Sequence, residues 1–131
     1  MKLNFAALFA VLSLFVVSPT PPVAAAPAQN YDDLYIRYST LENAASMDMR
    51  SFAFDVENAN REDACIDVKS ARKNMSDALY ALGALRVAVA NDSSLIAADK
   101  AAKLEDLDAR RDLLQKGRED ALDGWSKYCP S

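Results

Sequence analysis

The segment ALYALGALRVAVA, residues 78–90, decides the fold. Its last six residues, LRVAVA, alternate in a way that by itself suits a short strand. What precedes them is helical. Cys65, Val68, Ala71, Met75, Ala78, Leu82, Leu85 and Val89 recur at steps of three or four and share one helical face. Leu85 and Val89 continue that stripe unbroken, so LRVAVA reads as the last turns of a helix. No other alternation in the chain is long enough for a sheet.

Upstream, Leu34, Tyr38, Leu41, Ala45, Met49, Phe52, Val56 and Ala59 repeat the same spacing, and ENANRED (57–63) interrupts it, with Asn60 placed to cap the next helix. Downstream, NDSS (91–94) offers a turn and another cap. A third stripe follows through Leu104, Leu107, Leu114, Ala121 or Leu122, Trp125 and Cys129. No proline lies between residues 28 and 129, and the composition there favours helix. Three long helices with short connections predict an all-α, up-down-up three-helix bundle.

The amino terminus sets the compartment. Met1-Lys2, an apolar run over residues 3–17 and then SPTPPVAAAPAQN (18–30) have the three-part pattern of a secretory signal peptide. The run is shorter than the roughly 20 residues of a membrane span. Cleavage is expected after Ala28, giving a signal peptide over 1–28 and a single helical domain over 29–131. The segment removed carries only Lys2, which leaves 14 basic and 19 acidic residues, or −5. Such a balance argues against nucleic acid and against anionic membrane as partners. The expected location is extracellular, or periplasmic if the source is bacterial.

Export leads to an oxidising compartment, where disulfides persist. The only cysteines are Cys65 and Cys129, and an intramolecular bridge is the simplest reading. A dimer-linking bridge and two free buried thiols are the alternatives. A zinc site would need further ligands, and the chain has no histidine. In an antiparallel pair the start of the second helix lies beside the end of the third, as the bridge requires. Counted from the NDSS turn, however, Cys129 overshoots by about nine residues, or ~13 Å of helix. Either Gly124 ends the third helix early or that helix starts later than Ser94.

Charges support helix more than chemistry. Asp99–Lys103, Asp106–Arg110, Asp112–Lys116 and Asp123–Lys127 are acid-before-base pairs at four-residue spacing. Arg111 and Arg118 fall in the third apolar stripe, and are expected to lay their stems over the core or to pair with Asp48 and Asp55. Catalysis finds little support. Histidine is missing, no glycine-rich phosphate loop occurs, and no serine sits in a nucleophile elbow. Met47, Met49 and Met75 carry soft sulfur suited to copper(I). Met47 and Met49 lie about 200° apart on a helix, however, so core packing explains Met49 and Met75 better. The expectation is a non-enzyme with no cofactor and no metal.

Binding is the remaining class. The first helix holds Tyr31, Tyr35, Tyr38, Phe52 and Phe54, and adds a second apolar line of Ile36, Met47 and Phe54. A helix apolar on two sides either packs between both neighbours or presents a surface. The expected contacts to a protein partner, including a second copy in a homodimer, are Tyr35, Ile36, Met47 and Phe54. The alternatives are a small apolar ligand held between the aromatic first helix and the alanine-rich second, or a purely structural, self-assembling role. Asn91-Asp92-Ser93 and Asn74-Met75-Ser76 match the glycosylation pattern, relevant only in a eukaryote. Asn91, in the turn, is the accessible one.

Overall fold

The computed structural model describes residues 31–129, so the expected signal peptide, residues 1–28, lies outside the described residues. Three helices follow in order: α1 (Tyr31–Glu57), α2 (Arg61–Asn91) and α3 (Ala97–Tyr128). LRVAVA is helical and closes α2. The stripe foreseen for α2 is the spine of the core: Val68, Ala71, Met75, Ala78, Leu82, Leu85 and Val89 are buried, joined by Ala64 and Ala81. Tyr38, Ala45, Phe52 and Leu34 face it from α1, and Leu107, Leu114 and Ala121 from α3. At the ambiguous position Ala121 is inside and Leu122 outside.

The α1–α2 hairpin turns tightly. Ala59, expected as the last seam residue, lies beyond the helix with a left-handed φ of 59°. The Asn60 amide donates to the Asp55 carbonyl (2.8 Å) and the Ala59 amide to that of Val56 (3.2 Å). This is a Schellman closure with alanine where glycine is usual. Asn60 stands at the N-cap of α2, but its side-chain amide donates to the Asp63 carboxylate instead of capping the helix. Asn74 donates to Asp48 across the hairpin at 2.8 Å, in register with the contact between Asp55 and Asp67.

The α2–α3 hairpin resolves the cysteine mismatch. Cys65 and Cys129 are bonded, with Cα atoms 5.4 Å apart, inside the usual range. Arg86 pairs with Asp108 at 2.9 Å. Arg86 stands 21 positions after Cys65 and Asp108 stands 21 before Cys129, so one antiparallel register holds along the whole interface. The reversal point is therefore residue 97. Gly124 does not end α3, which runs on to Tyr128. The late start supplies the shift: Asp92 accepts from the Ser94 amide (2.8 Å) and hydroxyl (2.6 Å), holding residues 92–94 in a turn. The N-cap position falls to Ile96, which makes no side-chain cap.

α1 and α3 run parallel and meet mainly through side chains. Lys103 lies over the Tyr31 ring at 5.3 Å, and the Phe52 and Tyr128 rings meet edge-on at 5.8 Å. The arginine that reaches α1 is Arg110, 3.9 Å from Glu42. Arg111 and Arg118 border the α2–α3 groove beside the buried Leu82 and Leu107. Arg111 does not cross to Asp48 or Asp55 but pairs along its own helix with Asp108 (3.2 Å) and Asp112 (3.3 Å). Arg118 is exposed and makes neither cross-helix pair. The cause is geometric: α3 turns this flank outward past α2, not toward α1.

Candidate functional site

The outer line of α1 faces solvent. Ile36 is 60%, Met47 67% and Phe54 64% exposed, while Tyr35 is 40% exposed. At about 100° per residue, Met47 lies within about 20° of Ile36, and Phe54 returns to the same azimuth. The buried seam of Tyr38, Ala45 and Phe52 lies on the far side. The helix is thus not shared between two neighbours across this line. Tyr35 sits a step around the cylinder, stacked on Tyr31 (6.4 Å) and tilted against Tyr38 (6.3 Å).

One azimuth is not one patch. Ile36 and Phe54 are about 27 Å apart at the helical rise, with Thr40, Asn43 and Arg50 between them. The compact part is the Phe54 end. Here Phe54 and Arg50 face Ile66, Asp63 and Asp67 of α2 around an open cleft of about 450 Å³. Ile66, 60% exposed, was missed in the sequence reading. Its signal was available: like Phe54, it is a large apolar residue two positions from buried members of its helix's core stripe, and so on the opposite face.

Acidic groups rim this cleft. Burial pushes the Asp67 carboxyl above the ordinary carboxylate range. A hydrogen bond with Asp55 and the negative charges of Asp55, Asp48 and Asp63 add to the rise. Asp67 therefore holds a proton more readily than its neighbours and would gain from a cation brought alongside.

A second opening lies between α1 and α3. Because their backbones stand apart, Met75 of α2 floors a groove of about 590 Å³ walled by Ala45, Met49, Leu114 and Gly117. Room for an apolar molecule is therefore here. The alanine-rich seam of α2, with Ala64, Ala71, Ala78 and Ala81, is buried in the core. Met49 and Met75 face this groove, whereas Met47 points to solvent. Among the described residues no three His, Cys, Asp or Glu side chains are grouped to hold a metal ion, and no helix is long and apolar enough to cross a membrane.

A buried polar contact joins α1 to α3. The Tyr38 hydroxyl is buried without a well-formed hydrogen bond, though Arg110 and Glu42 are its polar neighbours. Burial is the main cause that lifts its pKa to about 12. The same contact, with Asp106, holds the Arg110 guanidinium still more firmly protonated. Asn91 ends α2 and is exposed, while the Asn74 amide is committed to Asp48. Among known protein families, curated proteins and solved structures, none matches this chain.

Proposed function

We propose that this is an exported, non-enzymatic helical protein that binds a protein partner through the outer face of α1, anchored at Phe54. The observation that carries the reading is the exposure of Phe54 (64%) beside Ile66 (60%) on adjoining helices, with Asp63 and Asp67 at the rim. An apolar pair beside a surplus of carboxylates fits a partner that inserts an apolar side chain flanked by lysine or arginine. Met47, Ile36 and Tyr35 extend the contact along the helix.

Burying a phenylalanine side chain is worth about 1.5–3 kcal/mol, so Phe54→Ala should weaken the partner's Kd roughly 10- to 100-fold. Stability should change by less than about 0.5 kcal/mol, as for an exposed residue. The test is affinity capture from the native secretion with wild type and with Phe54→Ala/Met47→Ala, then titration of the recovered partner. Sedimentation velocity shows whether that partner is a second copy. Equal binding by the double variant overturns the reading, and so does its unfolding, which would place these residues in the core.

The α1–α3 groove favours a second reading, a carrier of a small apolar ligand, because Met75, Met49, Ala45 and Leu114 line it, with Glu42, Arg50 and Asp120 among the polar residues that complete it. Native mass spectrometry of protein from its source would then retain a bound compound, and Gly117→Leu would abolish the retention.

A further inference from the structure

We infer that the outer groove between α2 and α3 is a binding site for a single-chain anionic amphiphile, an alkyl chain ending in an acidic head. The groove has two unlike halves. In the first, Lys69, Arg72 and Lys73 of α2 and Arg118 of α3 line a cleft of about 460 Å³ that contains one carboxylate, Glu119. In the second, Cys65, Ile66 and Trp125 line a mainly apolar hollow of about 510 Å³, with Arg61 and Glu62 the charged residues added to the shared Lys69. Lys69 belongs to both, and Arg72 lies 5.9 Å over the Trp125 ring. The halves are therefore continuous.

The basic half is short of counter-charge. Lys73 is paired with Asp77 at 2.7 Å. Among the described residues Lys69 and Arg118 make no ion pair, and Arg72 has only the tryptophan ring. In a chain of net charge −4, with nineteen carboxylates available, these cations nevertheless converge across a groove. Lys69 lies three residues from Arg72 and four from Lys73, spacings at which like charges repel along a helix. A bound anion would relieve that repulsion with charge-assisted hydrogen bonds from two guanidinium groups and an ammonium.

The apolar half decides the kind of anion. A free inorganic ion would leave Ile66 of the apolar half, 60% exposed, and Leu122 beside the cations, 48% exposed, bare to water. An alkyl chain laid from the basic half toward the disulfide would cover them. From Arg61 to Lys69, α2 offers about 12 Å of length for it. A bilayer is the poorer occupant: the cations line a recess between two helices, and the net negative charge repels an anionic surface.

Trp125 is the chain's single tryptophan, so the site carries its own reporter. Dodecanoate, kept below its micellar concentration, is titrated into the purified protein while tryptophan emission and calorimetric heat are followed together. The expected result is a saturable blue shift with one molecule bound per chain. Dodecanol and inorganic phosphate, the chain without charge and the charge without chain, should each bind at least about tenfold more weakly. Lys69→Gln/Arg118→Gln should lose about a hundredfold or more for dodecanoate, the loss of two charge-assisted contacts at about 1.5 kcal/mol or more each, with an unchanged circular dichroism spectrum. Both residues are exposed. Several results would overturn the site: no saturable change, heat without an emission change, or dodecanol or phosphate binding as tightly as dodecanoate. Full affinity in the double variant would overturn it too, as would co-sedimentation with anionic phospholipid vesicles in place of monomer binding.

Discussion

One substitution, glycine to alanine, should have opposite outcomes at two helical positions, and the difference tests the packing directly. In a helix interior the exchange gains about 1 kcal/mol from propensity alone. At Gly83 a new Cβ would meet nothing within 4 Å, so the full gain should appear. At Gly124 the same carbon would fall 2.8 Å from Cζ and 2.9 Å from Cε1 of Phe52. That ring is a poor candidate for yielding, because it is buried and fixed edge-on against Tyr128. Overpacking of this kind costs about 1–3 kcal/mol. Subtracting the propensity gain leaves a net change between about zero and 2 kcal/mol unfavourable. For a domain of this size 1 kcal/mol moves Tm by about 4–8 °C. Gly83→Ala should therefore melt about 4–8 °C above wild type, and Gly124→Ala level with it or below. Thermal melts followed by circular dichroism measure both. Combining Gly124→Ala with Phe52→Leu should recover about 1 kcal/mol or more in a double-mutant cycle. If Gly124→Ala stabilises as much as Gly83→Ala does, Phe52 does not lie over Gly124 and the α1–α3 contact described here is wrong.

Other outcomes follow from single contacts. Cys65→Ser/Cys129→Ser opens a loop with a sequence separation of 64 and should cost up to about 4 kcal/mol; an unchanged melting curve in oxidising buffer would show that the bridge contributes nothing. Ala59→Gly should stabilise by about 0.5–1 kcal/mol, because Ala59 holds a φ of 59° that disfavours any Cβ; a loss in denaturant melts would refute the left-handed closure. Tyr38→Phe should be within about 0.5 kcal/mol of wild type at pH 7, since its buried hydroxyl has no well-formed bond to lose. The folded-state pKa of about 12 stands above the ordinary 10.0, so wild type should lose stability as pH climbs through that window. The phenylalanine variant should lose less, and parallel alkaline melting profiles would exclude the effect. Asp67 has its pKa raised in the fold, so its ionisation opposes folding above that pKa and its protonation relieves the strain as pH falls. Asp67→Asn should accordingly raise Tm at neutral pH, and a lower Tm would show the carboxylate to be favourably paired.

The helices and their inward faces were legible because the two hairpins bury one stripe each with few interruptions. Every apolar residue named for α2 from Val68 onward is buried. What failed was local. The nine-residue cysteine overshoot arose from taking NDSS as the start of α3, when Asp92 uses its carboxylate to fold that stretch into a turn. Both Ala121 and Leu122 satisfy the periodicity, and only the close approach of α3 to α2 selects the smaller. Arg111 and Arg118 look like seam residues by spacing, yet they fall on the solvent side because α3 buries a narrow stripe. Spacing gives the angle around a helix. It does not give the width of the buried arc, which depends on how many neighbours the helix has.

That difference in arc width bears on where sulfur is needed. α2 is buried along its length between two partners, and α1 inserts the full ring of Tyr38 against it. α3 contributes only Leu107, Leu114 and Ala121 as buried apolar side chains, and several of its charged residues pair along its own surface or with Arg86. On burial alone α3 is the helix held least firmly, and its last turn, farthest from the connecting loop, has the most freedom to fray. The disulfide is placed there. It fixes the one end that neither the loop nor the leucines secure, and the Arg61 side chain donates to the Tyr128 carbonyl at 2.6 Å beside it. Covalent closure at that end also holds Trp125 against α2. The groove between α2 and α3 and the outer face of α1 thus sit on one rigid frame and meet at Ile66, which lines both clefts. Phe54→Ala should therefore spare the α2–α3 groove and Arg118→Gln the α1 face, whereas a change at Ile66 should disturb both.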